Sequence, residues 1–112
     1  MTTYLITRHA GAVAWLRRQG IDFKEVSHLD GATAIEPGDR VIGPLPLSRI
    51  ANIVAAGVRY EAIEMDLPEG ARGSELSADQ MERYGARLVR YRVERIAADA
   101  AEADAGRTPG SP

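Results

Sequence analysis

The sequence predicts an α/β domain. Four short, mostly parallel strands lie in the order 2-1-3-4, flanked by helices and followed by a long C-terminal helix. Three observations carry this class. Helical patterns separate the first apolar run from the second and the third from the fourth, which calls for parallel pairing through right-handed crossovers. The first run opens the chain almost at once and is apolar throughout, as a central strand buried on both faces would be. The 112 residues suit one domain with one modest core.

The elements follow in order. Tyr4-Leu5-Ile6-Thr7 is the first strand. A helix is expected from Gly11 to Gln19, with Ala12, Trp15 and Leu16 on one face and Gly20 as its left-handed stop. Phe23 to Leu29 alternates imperfectly and reads as an edge strand, broken by Asp30-Gly31. Glu36-Pro37-Gly38-Asp39 is a turn, with Pro second and Gly third. Arg40 to Gly43 is a short strand ended by Pro44-Leu45-Pro46. Leu47 to Ala56 is a helix with Ile50, Ile53 and Val54 inward and Gly57 as its stop. Tyr60 to Leu67 is the fourth strand, broken by Pro68. Ser77-Ala78-Asp79-Gln80 is a capping box. Met81, Tyr84, Leu88 and Tyr91 then recur at helical spacing. The expected result is a minimal Rossmann-like domain over residues 1–95. Residues 96–112 would be a helix extension and a disordered tail, since Gly106 and Pro109 stop a helix.

Composition narrows the function. There is no cysteine, so disulfides, thiolate metal sites and cysteine nucleophiles are excluded. No signal peptide is expected, and no apolar run approaches the ~18–20 residues of a membrane span. A cytoplasmic protein without a membrane partner is therefore expected. The net charge of −2 offers no global attraction to DNA or long RNA. Much of that excess sits in the tail; residues 1–95 carry 13 basic and 13 acidic groups. Of the 14 basic residues only Lys24 is a lysine. Most of the arginines match a composition rich in Ala and Gly; those at a ligand edge are the ones to weigh, because arginine forks suit phosphate.

In open parallel sheets ligands bind at the carboxyl ends of the strands where the chain switches direction. After the first strand comes Thr7-Arg8-His9-Ala10-Gly11, and after the third Gly43-Pro44-Leu45-Pro46. Asp66, Arg72 and Gly73 follow the fourth, and His28 and Asp30 the second. A helix N-terminus at Gly11 is suited to an anion. Arg8 adds bidentate geometry, and His9 a group that moves protons near neutral pH. Arg8 and His9 are the catalytic candidates. Thr7, Ala10, Gly11, Gly43, Leu45, Pro46, Asp66, Arg72 and Gly73 are candidates for binding, with His28 and Asp30 in second line. Plainer roles also fit: Arg8 paired with Asp30 or Asp66, His9 as a helix cap, Trp15 in the core. No G-x-G-x-x-G, P-loop or HExxH motif occurs, and the two histidines lack metal-ligand spacing. No metal or cofactor is expected.

Several segments together resemble a known family. They are Thr7-Arg8-His9-x-Gly11-Ala12 with Trp15, His28-Leu29-Asp30, Pro37-Gly38-Asp39-x-Val41-Ile42-Gly43-x-Leu45-Pro46, Asp66-Leu67-Pro68, and Arg72-Gly73-x-Glu75-Leu76-Ser77-Ala78. This pattern over about residues 1–95 is similar to the small accessory ring nucleases of type III CRISPR systems. The resemblance implies a CARF-like fold, a homodimer, and cyclic tetra-adenylate as ligand. It further implies metal-independent cleavage of that messenger to linear di-adenylate with a 2′,3′-cyclic phosphate, which switches antiviral signalling off. A non-catalytic cyclic-oligoadenylate binder is the alternative. A more remote one is a histidine-type phosphohydrolase, whose Arg-His-Gly triplet is interrupted here by Ala10.

Overall fold

The computed structural model describes residues 1–27, 34–71, 73 and 75–97. Its elements are β1 (Thr3–Ile6), α1 (Ala10–Arg18), β2 (Lys24–Val26), β3 (Arg40–Ile42), α2 (Leu47–Ala55), β4 (Arg59–Glu64), a 3-10 turn (Glu69–Ala71), α3 (Ala78–Arg83) and β5 (Arg87–Tyr91). They form one five-stranded sheet in the order β2-β1-β3-β4-β5. The first four strands are mutually parallel, and β5 runs antiparallel to β4.

Strand alternation divides the core into two layers. Leu5 and Ile42 face α1 and α3, where they meet Val13, Trp15, Leu16 and Met81. Tyr4, Ile6 and Val41 face the other way, toward Ile50 of α2 and toward Val58 and Tyr60. All four residues of β1 are buried, as expected of a central strand covered on both faces. Trp15 is a core residue at 2% exposure.

The expected order 2-1-3-4 is present within the sheet, but two expectations are corrected. The described residues form five strands rather than four, and the long C-terminal helix is absent from them. The capping box forms as expected, with Ser77 Oγ accepting from the Gln80 amide and Gln80 Oε1 accepting from the Ser77 amide. The helix then stops after Arg83. Gly85 adopts a φ of +74°; its amide donates to the Glu82 carbonyl and that of Ala86 to the Met81 carbonyl. That is a Schellman closure, which a glycine at this position permits. The chain emerges extended, and Arg87–Tyr91 pairs with β4. Arg87 lies opposite Glu64 and Arg90 opposite Glu61, cross-strand charge pairs that favour this register. Residues 92–97 are neither helix nor strand; the rest of the expected tail lies outside the described residues.

Glycine sets two close approaches that shape one end of the sheet. Gly43 has a φ of +129°, and a Cβ there would lie 2.1 Å from the Ile6 carbonyl oxygen. A Cβ on Gly11 would lie 1.8 Å from the Leu76 carbonyl oxygen. The first lets the ends of β1 and β3 converge. The second lets α1 lie directly on the backbone leading into α3. Among the described residues no helix is long and apolar enough to cross a membrane.

Candidate functional site

β1 and β3 end side by side at the switch point, with β2 on one side and β4 on the other. The Thr7–His9 loop and Gly43–Pro46 loop leave from there, and two hollows open between them. The first, of ≈ 340 Å³, is walled mainly by apolar side chains, among them Ala12, Ile63, Met65, Leu76 and Met81. The second, of ≈ 400 Å³, is walled by Arg8, Ser27, Leu45, Pro46 and Arg49. Ile6, Thr7, His9 and Pro44 line both, so the Thr7–His9 loop is the partition between an apolar and a cationic space.

Local chemistry builds that partition. Thr7 Oγ1 accepts the His9 amide at 3.0 Å and tightens the turn. His9 is the N-cap residue of α1, in extended backbone, and its side chain caps nothing. Its carbonyl instead accepts the first helical hydrogen bond, from Ala12 at 3.1 Å. The amides of Ala10 and Gly11 precede that bond and belong to the open first turn of the helix. His9 Nδ1 lies 2.7 Å from Glu75 Oε2, with both side chains more than half exposed. Arg8 is exposed and has no hydrogen-bond or ion-pair partner among the described residues. On the floor of the apolar hollow, the Tyr60 hydroxyl donates to the Gly43 carbonyl. Burial, reinforced by nearby Tyr91, pushes the Tyr60 hydroxyl above its ordinary pKa and keeps it a donor.

The structure thus brings together Thr7, Arg8, His9, Gly43, Leu45 and Pro46. Gly11 acts through its contact with Leu76, and Ala10 is an exposed first-turn residue. Asp66 lines neither hollow; its carboxylate faces Arg87 at 3.4 Å, and its amide donates to Tyr84. Gly73 is exposed with a φ of +80° and lines neither hollow. Arg72, His28 and Asp30 lie outside the described residues. Sequence reasoning missed Glu75, Arg49 and Tyr60 as parts of this rim. Arg49 could have been found, since it lies in the first turn of the helix that follows the third strand. Among the described residues no group of three or more His, Asp or Glu side chains could hold a metal ion.

Comparison with curated proteins found no match, and neither did comparison with solved structures. A family model does match, over residues 4–94, and it is described as "Putative CRISPR-associated protein (Cas_VVA1548)". The match covers β1 from Tyr4 onward, the other four strands and every residue that lines either hollow. The chain belongs to this family of CRISPR-associated proteins.

Proposed function

We propose that this protein is a ring nuclease that cleaves cyclic tetra-adenylate. One observation carries the reading: His9 stands where an apolar hollow meets a second hollow that carries Arg8. A nucleotide has the same division, with a flat, largely apolar base joined through ribose to a phosphate. An apolar wall receives the base, arginine forks receive the phosphate, and the ribose falls between them, at His9. Membership of a CRISPR-associated family agrees with a nucleotide messenger, and the resemblance to ring nucleases supplies which one.

The reaction needs only groups of this kind. The 2′-oxygen of one ribose forms a bond to its neighbouring phosphorus, and the 2′-hydroxyl proton passes to the His9 imidazole. The P–O5′ bond breaks, and the departing 5′-oxygen takes a proton from solvent. The products of each cut are a 2′,3′-cyclic phosphate and a 5′-hydroxyl. Arginine stays protonated at neutral pH, so Arg8 stabilises charge on the phosphorane-like transition state and His9 moves the proton. Holding the 2′-oxygen in line with the scissile bond supplies much of the remaining acceleration. A four-adenylate ring can adopt two-fold symmetry, so a homodimer would present each hollow twice and cut the ring at two opposite bonds. Two linear di-adenylates result.

The test is turnover by Arg8→Ala, His9→Ala and the double variant, with fold and oligomeric state checked by circular dichroism and sedimentation. Loss of turnover with an intact fold supports the assignment. Normal turnover by the double variant moves the chemistry elsewhere, with Arg72, His28 and Asp30 next in line. A native protein that binds the ring and leaves it uncut is a binding module.

A further inference from the structure

We infer that Glu75 is the positioning residue of this site: it fixes which nitrogen of His9 carries the proton and which faces the ligand. This deepens the proposal above and rests on it for the catalytic consequence.

The geometry starts from the 2.7 Å contact between Glu75 Oε2 and His9 Nδ1. An ionised carboxylate only accepts hydrogen bonds, so Nδ1 must donate and carry the proton. In the neutral ring that leaves the lone pair on Nε2. Nε2 is therefore the atom available to take the 2′-hydroxyl proton. A carboxylate holding the far nitrogen of a general-base histidine orients the ring and stabilises the imidazolium that forms.

A second, independent observation shows that the backbone bearing the carboxylate is held in place. Glu75 lies 66 residues from His9 in sequence, so only tertiary structure can aim it. Two contacts do so. Backbone at Leu76 is seated against Gly11, at a distance no side chain at position 11 would allow. The next residue, Ser77, is tied into the capping box of α3. The segment bearing Glu75 is thereby clamped to the first turn of the helix that His9 caps. The pair itself is exposed, with side-chain accessibilities of 64% and 71%, and exposed pairs contribute little to stability. Orientation is the role left for it. Among the described residues, the other charged groups that line a hollow with His9 are Arg8 and Arg49; both are donors only and cannot take the proton from Nδ1.

The test has one arm that needs no turnover. In protein labelled with 15N-histidine, the His9 ring signals are assigned by comparison with His9→Ala, since the chain has only two histidines. At a pH where the ring is neutral, the native protein should show the Nδ1–H tautomer. Glu75→Gln should lose that preference, because its amide can either donate or accept. Glu75→Asp should restore it at least in part. A native protein dominated by the Nε2–H tautomer overturns the inference, as does an unchanged tautomer in Glu75→Gln.

The second arm is turnover of cyclic tetra-adenylate. Glu75→Gln should lower kcat, by no more than the about 10²–10⁴-fold that loss of the general base itself costs, and leave KM within about twofold. An unchanged kcat would also overturn the inference. Absence of cleavage by the native protein overturns the nuclease reading alone, and the tautomer arm still decides the role of Glu75.

Discussion

The two ends of the sheet use the same residue types for opposite ends. At the amino-terminal side the buried charges of the described residues are matched. Asp39 is 6% exposed and accepts the amides of Glu36 and Thr2, each at 2.9 Å. Glu61 is 3% exposed and is held by Arg40 at 2.5 Å and Arg59 at 2.8 Å. At the carboxyl-terminal side, among the described residues, Arg8 is unpaired and the His9 side chain is tied only to Glu75. Satisfied charges fix strand register and have nothing left to offer a ligand. Unsatisfied ones cost little because they are exposed, and they keep their donors and lone pairs for a guest.

The difference can be broken at either end. The largest effect is expected at the open end, where His9→Ala should lower turnover of cyclic tetra-adenylate by about 10²–10⁴-fold. Its thermal unfolding should stay near the native value, since exposed substitutions rarely move stability by more than about 0.5 kcal/mol. At the closed end the pattern should invert. Glu61→Ala strands Arg40, whose side chain is only 16% exposed, and breaking such a buried pair costs about 3 kcal/mol. Urea unfolding measures that loss, and residual turnover per folded molecule should be close to native.

Gly43→Ala joins the two ends of the comparison, since it strains the rim without removing a charge. The φ of +129° and the nearby Ile6 carbonyl predict a loss of about 2 kcal/mol together with reduced turnover. The mildest effect concerns acid. Backbone amides of Glu36 and Thr2 hold the Asp39 carboxyl below its ordinary pKa. A depressed carboxyl contributes stability that is complete above the unfolded value of ~3.9 and is lost as pH falls through the folded one. Asp39→Asn should therefore flatten the acid limb of a stability-against-pH curve and leave the neutral region nearly parallel to native.

Much of this was legible in the residues. The parallel order of the first four strands followed from helical segments between apolar runs, and the stops at Gly20 and Gly57 lie where the helices end. The Thr7–His9 and Gly43–Pro46 loops were placed at the ligand edge by topology alone, and they do meet there. β5 was hidden because Met81, Tyr84, Leu88 and Tyr91 share a spacing that suits a helix as well as a strand following a Schellman turn. Gly85 was the signal, and the apolar periodicity overrode it. Glu75 was hidden for a different reason. Its partnership with His9 depends on the seating of Gly11 against Leu76, a contact between segments far apart in sequence that no local pattern encodes.

The central claim is tested most directly by incubating the purified protein with cyclic tetra-adenylate in the presence of a chelator and resolving the products. The account predicts linear di-adenylate bearing a 2′,3′-cyclic phosphate and a 5′-hydroxyl, formed over multiple turnovers and lost in His9→Ala. Recovery of the intact ring after prolonged incubation with native protein would contradict it.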